Sequence, residues 1–348
     1  MENTRATISR LAPAKLNLLL AITGARQDGF HDLVSLVAIV AGNDLADEIS
    51  LTATFGDNAR DTLVCDKPDL PCDDNNLVLR ATKLFREQFP LRASLHWVVK
   101  KRIPSGAGLG GGSSDAATAL RMLDEISRMP TTNPSSTTNP NPTTNPFATT
   151  DSVATTNPTA TTMPPADFSG TEHQRRLFAI AERIGSDVPI FLLGKAALMR
   201  GRGEKIEMLS ATEAAALRGR KFLVFKPAFG ISTAEAYAEM RRNKPHDYVS
   251  VAEAEAQIAK WRANPMGALP QLNNMERPAF RKFLALPTLF KILREHHGLS
   301  ARMSGSGSAC FAEIRGDSGD GGGDILATEA TIRNSLGANA FVRQVVLQ

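Results

Sequence analysis

Between Pro104 and Ser114 the chain reads Pro-Ser-Gly-Ala-Gly-Leu-Gly-Gly-Gly-Ser-Ser, with glycines at Gly106, Gly108, Gly110, Gly111 and Gly112. Backbone this poor in side chains can take positive φ and approach a ligand closely, while the first free N–H groups of a following helix point at whatever sits there. The helix dipole adds positive potential, so a polyphosphate is the natural occupant. Two better-known phosphate loops do not fit. Gly106, Gly108 and Gly111 satisfy G-x-G-x-x-G, but a dinucleotide fold also needs an acidic residue roughly 20 positions on, at the end of the next strand. Asp124 and Glu125 fall within the helix instead. A P-loop places Lys before Ser or Thr, and Gly112 stands where that lysine belongs. The alternative reading is a glycine-rich connector without a ligand.

A phosphate site of this kind needs a lysine and a carboxylate from elsewhere, and two segments offer them. Near the start, Ala14, Leu16, Leu18, Leu20 and Ile22 alternate with Lys15 and Asn17, which puts the two polar side chains on one face of a strand. That face points into a site or meets solvent; the segment alone does not choose. Further on, Leu177, Ile180, Ala181 and Ile184 form a helical stripe with Gly185 at C′. Ser186-Asp187-Val188-Pro189 then opens a second apolar helix, and Asp187 ahead of that proline also reads as an ordinary N-cap.

The elements that must position these groups follow from periodicity. Leu95, Trp97 and Val99 alternate with His96 and Lys100 as a half-buried strand leading into the loop, and Ala116, Leu120, Leu123 and Ile126 recur at helical spacing beyond it. Asn76 heads a helical run Leu77 to Phe85. Ala196 to Met208 reads as a hairpin, Phe222 to Phe225 as an apolar strand, and Ser232-Thr-Ala-Glu235 as a capping box opening a helix with Tyr237. Lys100-Lys101-Arg102 is a small basic cluster, either steering an anion or solvating a strand end.

With 348 residues and 42% hydrophobic content the chain can bury a sizeable core, and no stretch reaches the roughly 18 apolar residues of a membrane span. Cys65, Cys72 and Cys310 are odd in number and lack C-x-x-C spacing, which argues against a disulfide framework and a zinc site. Together with a start that lacks an apolar signal region, this places the expected protein in a cytoplasm. The net charge of +4 is dispersed, and no basic stripe interleaved with aromatics suggests nucleic acid. Residues 131–165 are nearly all Thr, Asn, Pro, Ser and Ala, with Thr-Thr-Asn-Pro recurring at Thr131, Thr137, Thr143 and Thr155. Such composition cannot build a core, so a disordered insertion is expected. Replacing it with a short Gly/Ser linker is expected to leave kcat and Tm nearly unchanged, and loss of folding would show that the segment is structured. A second low-complexity stretch runs from Gly316 to Asp324 and lacks the spacing of a calcium loop.

Five segments, Pro13 to Leu18, Gly24 to Leu33, Pro104 to Ala116, Gly185 to Leu192 and Met303 to Phe311, resemble the galactokinase, homoserine kinase, mevalonate kinase and phosphomevalonate kinase (GHMP) superfamily. They do so in order and over almost the whole chain, apart from the two low-complexity stretches. The glycine loop and the Ser304 to Ser308 turn are shared across the superfamily. The Lys15-Asn17 strand and the segments beginning at Gly24 and Gly185 point to its members in the non-mevalonate isoprenoid pathway. The resemblance implies a two-domain α/β (α+β) fold. Residues 1–217 would be like ribosomal protein S5 domain 2 and residues 218–348 ferredoxin-like, with the active site in the cleft between them.

It also implies ATP-dependent phosphorylation of the 2-hydroxyl of a cytidine diphosphate-linked methylerythritol, with Asp187 as general base and Lys15 beside it. A cation there keeps the carboxylate ionised and offsets charge on the phosphoryl group in flight. Pro104, Ser105, Gly106, Ala107, Gly108, Leu109, Gly110, Gly111, Gly112, Ser113 and Ser114 would hold the ATP phosphates. Mg2+ would bridge phosphate oxygens near Ser113 or Ser114, with no protein ligand assigned. Asn17 would orient substrate or base, and Asn76 would lie near the adenine unless it is only an N-cap. Where the family usually has Tyr-His, this chain has Phe30-His31, which keeps the stacking ring and loses a hydroxyl. Tyr237 would be the second ring of the clamp and His31 would read the cytosine edge. Other small-molecule kinases of the superfamily, or a non-catalytic nucleotide-binding protein on the same scaffold, are the alternatives. The expected partner is a small-molecule substrate, with no nucleic acid or membrane, and the protein a monomer or homodimer.

Overall fold

The computed structural model describes residues 4–56, 60–129, 170–314 and 324–348. The segment 131–165 and all of the second low-complexity stretch but Asp324 therefore lie outside the described residues. The chain forms two compact units that interleave in sequence, one from Met1–Pro13, Ala46–Ile103 and Gly111–Gly194, the other from Ala14–Leu45, Pro104–Gly110 and Lys195–Gln348. They interleave because the early strands need later ones to complete their sheet. Compactness thus does not follow a single cut near Leu217, which is the last residue of a helix within the second unit.

With elements numbered in chain order, the first unit holds strands β1 (Arg5–Pro13), β4 (Ala46–Phe55), β5 (Asp61–Cys65) and β6 (Ala93–Lys100). Its helices are α1 (Leu77–Gln88), α2 (Gly111–Ser127), α3 (Glu172–Ile184) and α4 (Val188–Leu193). The sheet order is β1-β4-β6-β5, antiparallel except for the β5/β6 pair. In β6 the expected alternation holds: Leu95, Trp97 and Val99 are buried while His96 and Lys100 are exposed. Helix α2 buries Ala116, Leu120, Leu123 and Ile126, and α3 buries Leu177, Ile180, Ala181 and Ile184. Gly185 does not end α3 in the left-handed conformation. Its φ of 174° is extended backbone, open to any residue, and it leads into α4.

The second unit holds β2 (Lys15–Ala25), β3 (His31–Ile39), β7 (Ala197–Gly201), β8 (Lys205–Met208) and α5 (Ala211–Leu217). It continues with β9 (Lys221–Lys226), α6 (Thr233–Arg242), α7 (Val251–Ala263), α8 (Glu276–Lys282) and α9 (Ala285–His297), then β10 (Ala301–Met303), β11 (Cys310–Ile314), α10 (Ile325–Leu336) and β12 (Phe341–Val346). One sheet runs β2-β3-β7-β8, so the β2/β3 hairpin is completed by the later β7/β8 hairpin. The other runs β10-β11-β9-β12 with every pair antiparallel. Helices lie between β9 and β10 and between β11 and β12 in the chain, which is the split β-α-β order of a ferredoxin-like domain.

Alternation in β2 reads as a strand with one polar face, yet every residue from Lys15 to Ile22 is buried. The register shifts between Asn17 and Leu19, so consecutive leucines follow the two polar residues and both faces are covered. Ser232 caps α6 as expected, but Glu235 does not return the bond that would complete a capping box. Its carboxylate pairs with Lys282 at 2.9 Å.

Candidate active site

In the second unit, Gly106, Gly108 and Gly110 take φ of 59°, 74° and 74°, and Ala107 and Leu109 between them are buried. Left-handed glycines alternating with ordinary residues are the backbone pattern that turns successive N–H groups into an anion-binding concavity. The carbonyls of the loop are committed elsewhere. Ala309 N–H donates to Ala107 O, Ser304 Oγ–H to Gly108 O and Lys15 N–H to Leu109 O, each at 3.0 Å. At Gly108 a Cβ would lie 2.1 Å from the Ser304 carbonyl oxygen, so glycine is required there for space as well as for φ.

Ser304 is fully buried and joins this loop to β2, because its hydroxyl also accepts Asn17 N–H at 3.2 Å. The Asn17 side chain has its orientation set by a chain of bonds. Ser35 donates its one hydroxyl hydrogen to Leu19 O (2.7 Å) and must therefore accept from Asn17 Nδ2 (2.9 Å). That turns Asn17 Oδ1 toward Lys15 Nζ, which donates to it. Both residues are buried, so the polar face of β2 meets the protein interior and not solvent.

The β2/β3 turn carries Phe30 and His31. Phe30 is half exposed, with the Arg202 guanidinium 5.2 Å over its ring centroid. His31 is buried and stacks on Tyr237 at 4.3 Å, with Tyr248 OH 3.1 Å from its Nε2. Burial, followed by the nearby Arg241 charge, pulls the His31 pKa below the usual histidine value, which favours the neutral ring. Tyr237 thus lies against the imidazole, and the Tyr248 hydroxyl engages its Nε2.

In the first unit, Asp187 occupies the position before α4 with helical φ and ψ (−89°, −9°), and its side chain makes no capping hydrogen bond. The cap that sequence alone suggests is not made. Arg121 of α2 grips the far end of α4, donating to Phe191 O (2.5 Å) and Leu192 O (2.8 Å). Burial pulls the Arg121 pKa down to about 10, which still leaves it charged at neutral pH. Asn76 is an N-cap, accepting from Val78 N–H (2.9 Å) and donating to Pro71 O (2.8 Å). Ser113 is partly exposed in the first turn of α2, whereas the buried Ser114 hydroxyl has no hydrogen-bond partner among the described residues.

The basic cluster divides. Lys100 and Arg102 lie at the surface, but Lys101 is buried between Asp47 (2.5 Å) and Asp115 (2.6 Å). Burial outweighs the lysine's pull and raises the Asp115 pKa to about 7. Sequence reasoning missed Ser35, Asp47, Asp115, Arg121 and Tyr248. The one local signal was Ser35, a lone hydroxyl inside the apolar run Leu33 to Ile39.

Family models for the GHMP kinases match on either side of α5, the N-terminal domain over residues 76–135 and the C-terminal over residues 254–328. A 4-diphosphocytidyl-2-C-methyl-D-erythritol kinase of Synechococcus sp. (strain CC9311) is 33% identical, covering 88% of this chain and 86% of that protein. One of Protochlamydia amoebophila (strain UWE25) is 31% identical over 89% and 85%. Among solved structures, a 4-(cytidine 5'-diphospho)-2C-methyl-D-erythritol kinase superimposes with a TM-score of 0.64 at 30% identity, covering 97% of this chain and 99% of that one. Homoserine kinase from Cytophaga hutchinsonii reaches 0.63 at 15% identity, a likeness of fold alone.

Proposed function

The chain belongs to the 4-diphosphocytidyl-2-C-methyl-D-erythritol kinase family of GHMP kinases, and from that premise we propose how its own residues carry out the reaction. It is an ATP-dependent small-molecule kinase that phosphorylates the 2-hydroxyl of 4-diphosphocytidyl-2-C-methyl-D-erythritol. The observation that carries the assignment of the phosphate site is the inward commitment of the Ala107, Gly108 and Leu109 carbonyls beside three left-handed glycines. Phosphoryl transfer asks chiefly for alignment and charge stabilisation, and residues 104–114 supply backbone donors at a helix N-terminus. Asp187 takes the proton from the substrate hydroxyl. Lys15 offsets charge on the transferred group, its ammonium steadied by the locked Asn17 amide.

The described residues contain no group of three His, Cys, Asp or Glu able to hold a metal. Mg2+ would keep much of its coordination to phosphate and water, with the Ser113 or Ser114 hydroxyl as the side chain that would join it. When bound, the ion neutralises negative charge on the phosphates. Asn76 lying near the adenine remains part of this reading, compatible with its cap. No helix among the described residues is long and apolar enough to cross a membrane; a cytoplasmic monomer or homodimer is the proposed state.

An ADP-release assay over a panel of acceptors tests the assignment: turnover is expected with the cytidine substrate and not with mevalonate, homoserine or a sugar. Comparable rates on one of those would favour another kinase of the superfamily, and ATP binding without any turnover a non-catalytic protein. The proposed base clamp makes a narrower prediction. Base stacking contributes on the order of 1 to 3 kcal/mol in single-strand binding, so Phe30→Ala is expected to raise KM for the cytidine substrate about tenfold or more while sparing ATP. His31→Ala is expected to erode discrimination between cytidine and uridine forms, since edge contacts supply selectivity that stacking cannot. Equal changes in both KM values would make Phe30 a packing residue only.

A further inference from the structure

We propose that Asp47, Lys101 and Asp115 are positioning residues that staple the two ends of the phosphate loop together and so set ATP affinity without touching the nucleotide. The inference rests on the assignment of residues 104–114 as that loop. Lys101 follows β6 at the loop's entry, Asp115 lies in α2 at its exit, and Asp47 is near the start of β4. All three are buried, with exposures of 7%, 5% and 0%.

The entry is pinned bond by bond. Lys101 N–H donates to Asp66 Oδ1 (2.8 Å), and Asp47 Oδ1 accepts Arg102 N–H (2.6 Å) and Ile103 N–H (2.8 Å). Pro104, which has no N–H, comes next. The other Asp47 oxygen holds the Lys101 ammonium, and that ammonium reaches across to Asp115 Oδ2. Exit and entry also pack directly: a Cβ at Gly111 would meet Ile103 Cγ2 at 3.2 Å and Asp47 Oδ2 at 3.4 Å.

Stability does not explain such a cluster. Desolvating buried ions offsets most of their attraction, and well-packed apolar replacements are often as stable. One Asp115 oxygen is even left buried without a hydrogen-bond partner among the described residues, a further cost. What the triad does supply is a fixed separation between residue 103 and residue 111. A short glycine loop spanning those ends keeps its N–H groups aimed only while that distance is held, since a site is productive within about 0.5 Å of its geometry.

Asp115→Ala cuts the staple at the exit and is expected to raise the Kd and KM for ATP about tenfold, with kcat within about twofold and KM for the cytidine substrate unchanged. Asp115→Asn, which can still accept from Lys101, is expected to restore most of the affinity. Because Asp115→Ala empties a buried site and so tests folding as well, the triple variant Asp47→Asn/Lys101→Met/Asp115→Leu serves beside it, since removing Lys101 alone would leave a buried carboxylate without its cation. Its apolar pair removes the cross-link, and the amide oxygen at position 47 keeps the bonds from Arg102 N–H and Ile103 N–H. It is expected to show the same selective loss of ATP affinity. Unchanged ATP affinity in either folded variant, or equal loss for both substrates, overturns the staple. If Gly108→Ala weakens ATP binding while these variants do not, the loop assignment stands and only the staple fails; if none of them affects ATP, the loop assignment itself fails.

Discussion

Asp187→Asn is expected to lower kcat by roughly 10²- to 10⁴-fold, the usual contribution of a positioned general base, while the protein stays folded. The substitution keeps the size of the side chain and removes its basicity. Asparagine caps a helix about as well as aspartate, so the change costs little stability even where the residue is an N-cap. Here the side chain makes no capping hydrogen bond, and α4 is secured from its other end by Arg121. No loss of helix capping is therefore expected to accompany the loss of turnover. Steady-state rates with the cytidine substrate, read beside Tm, check this: near-normal kcat in a folded variant would leave Asp187 as no more than the residue before a helix.

The second large effect is expected at Gly108. A Cβ there would lie 2.1 Å from the Ser304 carbonyl oxygen, with φ held at 74°. Left-handed backbone costs an alanine roughly 1–2 kcal/mol by itself, and the clash with backbone adds to it because neither side can rotate away. The loop must shift, which breaks the bond from the Ser304 hydroxyl to Gly108 O. Gly108→Ala is thus expected to raise the Kd for ATP by more than tenfold, over 1.4 kcal/mol. Gly106→Ala is the informative contrast. Its φ is 59° but a Cβ would meet nothing within 4 Å, so it carries the backbone strain alone. Calorimetric titration of both variants checks the ordering, and equal ATP affinity in Gly108→Ala and the parent would refute the phosphate cradle.

Several features of the site were legible before any coordinates. The glycine loop announces itself because positive φ is a property of single residues, and glycine is the residue that adopts it without cost. Strand β6 and helices α2 and α3 follow from apolar periodicity, which reports one buried face of one element. The order of motifs along the chain carries the family resemblance and, with it, the fold of both halves. The capping role of Asn76 is equally local, since the bond it makes is to a residue two positions away.

Read alone, the sequence therefore yields the elements, the glycine loop and the family. The tertiary structure decided which buried groups satisfy one another. Lys101 reads as part of a surface cluster, and only β4, 54 positions away, supplies the Asp47 carboxylate that lets its charge be buried. Asn17 donates to Ser35 across a strand pair, and its backbone bonds to Ser304, 287 positions on. Asp187 has the flanking residues of a cap and does not act as one. The physical reason is the same in each case. A backbone preference is decided by a residue and its immediate neighbours, whereas the cost of burying a charge or a hydrogen-bonding group depends on partners that only folding brings within about 3 Å.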